Sequence, residues 1–129
     1  AFVAGLSLGL DLTLRDVQSR LRKAGHPWEA CKAFEQSAPV GEFVPFGPGL
    51  DLANLAFTCA INGQPRQAGN TSDMIFSIPV LIAELSKAWK FRPGDLIYTG
   101  TPPGIGPLQS GDQITVSGPQ LGSFSWSIG

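Results

Sequence analysis

The stretch that decides the fold is LAFTCAINGQPRQ, residues 55–67. Leu55 to Ile61 carries Phe, Thr and Ile and ends at a turn former, which predicts a strand. Asn62-Gly63 follows at once, and this dipeptide favours a two-residue β-hairpin turn because both positions accept a positive φ. Gln64 to Gln67 is the expected return strand. Pro65 has no N–H to donate, so this strand is expected at a sheet edge.

Upstream of the hairpin, Leu6 to Leu12 predicts a strand that runs into a short helix. Thr13 as N-cap and Asp16 three residues later fit a capping box. The helix continues with apolar residues at helical spacing, namely Leu14, Val17 and Leu21. Gly25 is the expected stop, and a short strand is expected at Glu42 to Val44.

Downstream of the hairpin, the polar run Asn70 to Asp73 precedes a second helix with Pro79 in its first turn. Its apolar stripe consists of Leu81, Ile82, Leu85 and Trp89. Trp89, Trp126 and the phenylalanines are expected in the core.

The rest of the chain predicts more strands. Leu96 to Thr99 has the composition of a buried strand, and Gly100 to Gly106 is a loop rich in glycine and proline. Ile114 to Val116 and Ser123 to Ile128 are expected to pair as closing strands.

The composition excludes several function classes. The chain has 129 residues, 43% of them apolar, and a net charge of −1. This is one domain with a core, without the basic surface that nucleic acid or an anionic membrane requires. Two cysteines, Cys31 and Cys59, are too few for a disulfide framework and are expected to be reduced, although one bridge between them stays open. The chain lacks an initiator Met and opens on the apolar run AFVAGLSLGL, which predicts a fragment that begins within a strand.

Several stretches, taken in order, resemble the fumarylacetoacetate hydrolase family and together cover nearly the whole chain. They are GLDLTLRDVQ at 9–18, KAF at 32–34, PV at 39–40, NG at 62–63, RQ at 66–67, TSDMIF at 71–76, PGDLI at 93–97, TGTP at 99–102, GIGP at 104–107 and GD at 111–112. The likeness is greatest to small single-domain members that act on acylpyruvates and oxaloacetate.

The resemblance implies a mainly β (α+β) fold, a β-roll or sandwich with a few peripheral helices and its N-terminal part missing. Residues 1–129 would be the C-terminal portion of a single catalytic domain. The missing part carries two Glu metal ligands and a His-x-x-Glu lid pair in the family. We therefore expect a cytoplasmic homodimer with a small-molecule 2-oxo acid substrate, no nucleic acid and no membrane.

The resemblance also implies site residues. Asp11 matches a carboxylate ligand of Mg²⁺ or Mn²⁺, both of which prefer oxygen ligands; on spacing alone it would be an ordinary loop residue. Arg15 and Gln18 match positions that face the substrate, where a guanidinium suits a carboxylate. Lys32 matches a catalytic lysine, and Thr101 a substrate-binding threonine.

One pattern imitates the lid pair. His26 and Glu29 spell His-x-x-Glu, but the family pair precedes the metal carboxylates, whereas this one follows Asp11. We interpret it as a loop that ends the first helix.

By its resemblance, the chain belongs to an enzyme that cleaves or decarboxylates a 2-oxo acid or 1,3-dicarbonyl through a metal-stabilised enolate. Two alternatives stay open. The same chemistry supports a tautomerase or isomerase, and a chain with one of three metal carboxylates can also be a non-catalytic scaffold.

Overall fold

The structure is a computed structural model that describes residues 3–129. Its centre is a four-stranded antiparallel sheet in the order β4-β3-β5-β6. These strands are β3 Ala56–Ile61, β4 Gln64–Asn70, β5 Gln113–Gly118 and β6 Gly122–Ser127. The predicted mainly β, α+β architecture is confirmed. Ala1 and Phe2, where the sequence suggests a strand already begun, lie outside the described residues.

The β3–β4 hairpin forms where the sequence predicts it. Asn62 and Gly63 have φ values of 52° and 76°, and two successive positive values are the signature of the turn that Asn-Gly favours. Strand β4 continues three residues beyond the predicted end at Gln67 and lies at the sheet edge, where Pro65 is tolerated.

The core lies against one face of this sheet. Strand β5 alternates, with Ile114 2% and Val116 5% exposed, as a half-buried strand should. The buried cluster consists of Leu8, Cys59, Ile114, Val116 and Leu121. Cys31 and Cys59 are free thiols and both are buried, so the expectation of reduced cysteines is confirmed.

The predicted strand from Leu6 to Leu12 is only partly regular. Strand β1, Gly5–Leu6, pairs with β2, Val44–Pro45, in a separate two-stranded sheet. The chain then stays extended, and an isolated bridge joins Gly9 to Val40.

The first helix, α1, spans Arg15–Ala24, and the predicted capping box is wrong. Leu14 occupies the N-cap without a side-chain hydrogen bond. The Thr13 hydroxyl is buried and has no partner among the described residues, because Thr13 still belongs to the extended segment. Asp16 pairs with Arg20 one turn later at 3.4 Å. The stop at Gly25 is confirmed by its φ of 67°.

Two more helices follow. Helix α2 is the single turn Glu29–Lys32, and α3 spans Ile78–Ala88 with Pro79 in its first turn. A 3-10 turn, Thr71–Asp73, precedes α3. No helix in the described part of the chain is long and apolar enough to cross a membrane.

Two sequence-based expectations are wrong: a predicted buried strand and the burial of several aromatic side chains. Leu96 to Thr99 forms no strand, because no strand within residues 3–129 lies beside it, and Leu96 stays 52% exposed. Trp89 ends α3 with 64% exposure, and three phenylalanines are exposed rather than in the core: Phe43, Phe46 and Phe76. Trp126, in contrast, packs on the core.

Candidate active site

Asp11 lies on the extended segment that leads to α1. The segment is fixed by backbone hydrogen bonds on both sides of Asp11: Leu10 N–H donates to Pro39 O and Leu12 N–H to Ser37 O, both at 2.9 Å. Because the backbone is held before and after Asp11, its carboxylate has a defined position.

Lys32 meets Asp11 from the end of α2. Its Nζ donates to both carboxylate oxygens of Asp11 at 2.8 Å. The backbone here is anchored by Cys31, which is fully buried and whose carbonyl accepts the Leu14 N–H at 3.1 Å. The two side chains are 34% and 49% exposed, and such pairs contribute only about 0–1 kcal/mol to stability. The pair therefore contributes little to folding; its main effect is to place one positive and one negative charge side by side at this point of the surface.

Arg15 and Gln18 lie in the first turns of α1. An Arg15 guanidinium nitrogen donates to Gln18 Oε1 at 3.0 Å, as positions three apart on a helix allow. The other N–H groups of the Arg15 guanidinium remain available to a ligand, and their planar arrangement suits a carboxylate.

Thr101 approaches from the loop that follows Tyr98. Its hydroxyl accepts a hydrogen bond from Gln67 Nε2 at 3.2 Å. Asp11, Arg15, Gln18, Lys32 and Thr101 all line one cleft of about 1670 Å³. The cleft is broad, because its lining also includes core side chains such as Leu8 and Ile114.

Tyr98, Arg66 and Gln67 are polar residues of the cleft to which the sequence assigns no role. Tyr98 donates its hydroxyl to Ala38 O at 2.7 Å. Burial and the negative charge of nearby Asp11 raise the pKa of Tyr98, so the phenol stays protonated. Arg66 and Gln67 also line the cleft. The signals available in the sequence are that Tyr98 is the only tyrosine and that Arg66-Gln67 falls within a family motif.

His26 and Glu29 are exposed and do not line this cleft. His26 lies in the loop after α1, as interpreted, whereas Glu29 is the first residue of α2.

The donor set is incomplete for a metal. Among residues 3–129, no group of three His, Cys, Asp or Glu side chains is placed to hold an ion. Asp11 offers oxygen ligands of the kind Mg²⁺ and Mn²⁺ prefer. The described residues therefore fit one ligand of such a site and do not build the whole of it.

Comparison with known sequences finds close relatives. An oxaloacetate tautomerase of Escherichia coli, YcgM, is 49% identical over 116 residues, which are 89% of this chain and 53% of that protein. The human mitochondrial oxaloacetate tautomerase FAHD1 is 42% identical over 127 residues, 98% of this chain and 58% of its own. The chain thus spans about half the length of these curated relatives.

Comparison with solved structures gives the same result. A fumarylpyruvate hydrolase from Pseudomonas aeruginosa, solved with Mn²⁺ and pyruvate, superposes with a TM-score of 0.92 at 36% identity. The alignment covers 98% of this chain and 54% of that one. A family model described as the C-terminal region of fumarylacetoacetate (FAA) hydrolase matches residues 1–128. The chain belongs to the fumarylacetoacetate hydrolase family.

Proposed function

We propose that this chain supplies the Asp11–Lys32 side of the active site of a Mg²⁺- or Mn²⁺-dependent enzyme that acts on a small 2-oxo acid of the acylpyruvate or oxaloacetate type. The observation that carries the proposal is the contact of Lys32 Nζ with both carboxylate oxygens of Asp11 at 2.8 Å, with Arg15 and Thr101 lining the same broad cleft. The names of the relatives support the substrate class, and the Mn²⁺ and pyruvate in the P. aeruginosa enzyme support the cofactor.

Each side chain has a task in this proposal. Asp11 supplies one oxygen ligand to the cation, which when bound acts as a Lewis acid toward the substrate. The ammonium of Lys32, which contacts Asp11 at 2.8 Å, would stabilise negative charge that develops on a substrate oxygen bound beside Asp11. The Arg15 guanidinium binds the substrate carboxylate and is held by Gln18. Thr101 donates a hydrogen bond to the substrate from the loop after Tyr98.

The proposed residues are compatible with more than one reaction of a 2-oxo acid. Developing enolate charge is common to C–C hydrolysis, decarboxylation and tautomerisation, so this set of residues serves all three. Tautomerisation needs only a proton moved between carbon and oxygen, and the names of the E. coli and mitochondrial relatives favour it. Hydrolysis also needs an activated water, and the name of the P. aeruginosa enzyme favours that outcome.

The test is calorimetric titration of the full-length gene product with Mn²⁺ and with Mg²⁺, each in the presence of oxalate as an enolate mimic. Asp11→Asn should abolish measurable cation binding, because the charged ligand is lost. Asp51→Asn is the matched control, since Asp51 is exposed, does not line the cleft, and its carboxylate accepts only the Ala53 N–H among the described contacts. Equal losses in both variants, or none, would contradict the role of Asp11.

Turnover supplies the second measurement. Arg15→Lys should raise KM for oxaloacetate by about tenfold, because a point charge replaces a bidentate fork. Arg20→Lys on the same helix is the control. Loss of the enol absorbance measures tautomerisation, and release of a cleaved acid measures hydrolysis. A protein that binds neither cation nor oxalate would be the non-catalytic scaffold.

We also propose that residues 1–129 are the C-terminal portion of a single catalytic domain, because the matched relatives are about twice as long. A homodimer is proposed on the exposed apolar side chains Ile75, Phe76 and Trp89, of which Ile75 is 93% exposed. Contact with a second copy would remove these apolar side chains from water. Sedimentation velocity of the full-length gene product, with Ile75→Ser as the dissociating variant, tests the dimer.

A further inference from the structure

The β3–β4 hairpin contains one residue without a partner. Cys59 pairs with Gln67 and Ala60 pairs with Pro65, so Arg66 is left over and forms a β-bulge. Bulges re-aim side chains and are frequent beside active sites. Here the bulge lies where the strand meets the loop that carries Thr101.

The loop is seated on this part of β4 without spare room. A Cβ added at Gly104 would overlap the carbonyl oxygen of Arg66, and one at Gly106 would overlap the Arg66 guanidinium. A Cβ at Gly69 would lie 3.0 Å from Pro102. Glycines at these places let the loop approach the strand.

Gln67 connects β4 to the loop at Thr101, the proposed substrate-binding residue, and at the adjacent Pro102. Its Nε2 donates to Pro102 O at 2.8 Å and to Thr101 Oγ1 at 3.2 Å. A carbonyl oxygen only accepts, so Pro102 dictates that the amide NH₂, not the amide oxygen, faces the loop. Thr101 Oγ1 must then be an acceptor for Gln67, which leaves its own hydrogen to be donated elsewhere.

We propose that Gln67 is a positioning residue that makes Thr101 a hydrogen-bond donor to an anionic oxygen of the substrate, a carboxylate of the 2-oxo acid. This inference rests on the proposed function. Gln67 does not touch the substrate; it accounts for one lone-pair site of the hydroxyl and so directs the hydroxyl hydrogen toward the cleft. The preference for an anion follows, because a carboxylate accepts and cannot donate.

A double-mutant cycle separates this role from a merely structural one. Oxalate binding to the Mn²⁺-loaded full-length protein is measured for wild type, Thr101→Val, Gln67→Ala and the double variant. Each single substitution should weaken binding by about tenfold, the effect of one hydrogen bond to a charged group. The double variant should be no weaker than the Thr101→Val variant, because Gln67 acts through that hydroxyl. Independent effects, which multiply to about a hundredfold in the double variant, would overturn the proposal.

Reversing the polarity of residue 67 sharpens the test. Gln67→Glu places an acceptor where the donor was, so the Thr101 hydrogen turns toward the strand and is lost to the ligand. Oxalate binding should weaken more than in the Gln67→Ala variant, whereas Thr101→Ser should keep wild-type affinity within about threefold, since its hydroxyl is retained.

Gln64→Glu is the matched control, the same charge change on an exposed residue at the start of the same strand. Equal weakening by Gln64→Glu and Gln67→Glu would overturn the proposal. A wild-type protein that binds Mn²⁺ and oxalate while Gln67→Ala and Gln67→Glu change nothing would overturn this inference alone. A wild-type protein that binds neither would overturn the proposed function and this inference with it.

Discussion

The four-stranded sheet and the segment from Phe91 to Leu108 are held in different ways. The sheet has antiparallel ladders, interrupted at the Arg66 bulge, and a buried cluster that includes Ile114 and Val116. The segment forms no helix or strand; it is held by individual contacts, such as Tyr98 to Ala38 and Gln67 to Pro102. The sheet shares its stability among many interactions, whereas the position of the Thr101 loop depends on a few. We therefore expect stability and site geometry to respond to different substitutions.

The largest effect should come from the centre of the sheet. Ile114→Ala removes a side chain that is 2% exposed, and the free energy of unfolding should fall by about 3 kcal/mol through lost burial and a cavity. Ile105→Ala, in the segment and 58% exposed, should change it by less than about 0.5 kcal/mol. Urea unfolding monitored by tryptophan fluorescence measures both. Similar losses would mean that the segment shares the core.

A smaller effect should appear where the segment meets β4. Gly104 and Gly94 have φ values of 100° and 95°, so alanine strains the backbone alike at both, by about 1 kcal/mol. Only at Gly104 would the new Cβ also overlap Arg66; at Gly94 nothing lies within 4 Å. Gly104→Ala should therefore destabilise more than Gly94→Ala, and the difference in urea midpoint isolates the contact between loop and strand. Equal midpoints would mean that the loop yields without cost.

Acid should weaken the sheet through one carboxylate. The Gln109 N–H and the Asn62 amide donate to Asp112 and lower its pKa in the folded state. This contribution is present above the ordinary aspartate pKa and is lost as pH falls through the folded pKa. Asp112→Asn should flatten the fall in stability below about pH 4, while Glu35→Gln, in an exposed turn, should not. Urea midpoints measured from pH 7 to pH 3 test it, and parallel curves for wild type and Asp112→Asn would refute it.

The smallest effect should appear in the pKa of Tyr98, which lies in the segment. Burial and the charge of Asp11 raise the pKa of Tyr98, and Tyr98 is the only tyrosine, so absorbance near 295 nm reports its titration. In metal-free protein, Asp11→Asn should lower this pKa, because the nearby negative charge disfavours the phenolate. Asp16→Asn should leave it in place. A titration unchanged by Asp11→Asn would place Tyr98 away from Asp11.

Local chemistry predicts the sheet better than the site. Asn62-Gly63 sets its own turn, and the alternation in β5 sets its buried face, so neighbouring residues are enough. Leu96 to Thr99 has the composition of a strand but pairs with none of the described residues. Whether a segment forms a strand depends on a partner strand beside it, which its own composition does not reveal. Thr13 fails as a cap because the helix begins two residues later, at Arg15, with Leu14 in the N-cap position, although the sequence spacing fits.

The site depends on contacts between distant residues. Lys32 and Asp11 are 21 positions apart, and Gln67 and Thr101 are 34 apart. No periodicity in the sequence links such pairs. From the sequence, only the family resemblance predicts that Asp11, Lys32 and Thr101 belong to one site. The resemblance identifies Arg66-Gln67 as a motif but assigns it no role. The bulge at Arg66 and the hydrogen bond from Gln67 to Pro102 O suggested the role proposed above.

The bulge also limits how the hairpin can change in length. The Asn62-Gly63 turn ties one end of the hairpin. The other end is tied where Leu55 and Thr71 exchange hydrogen bonds, from Leu55 N–H to the Thr71 hydroxyl and from Thr71 N–H to Leu55 O. Between the ties, six residues of β3 face seven of β4. A one-residue deletion in β4 would remove the bulge, and an insertion would force a second one, so homologous hairpins should vary in sequence but keep this count.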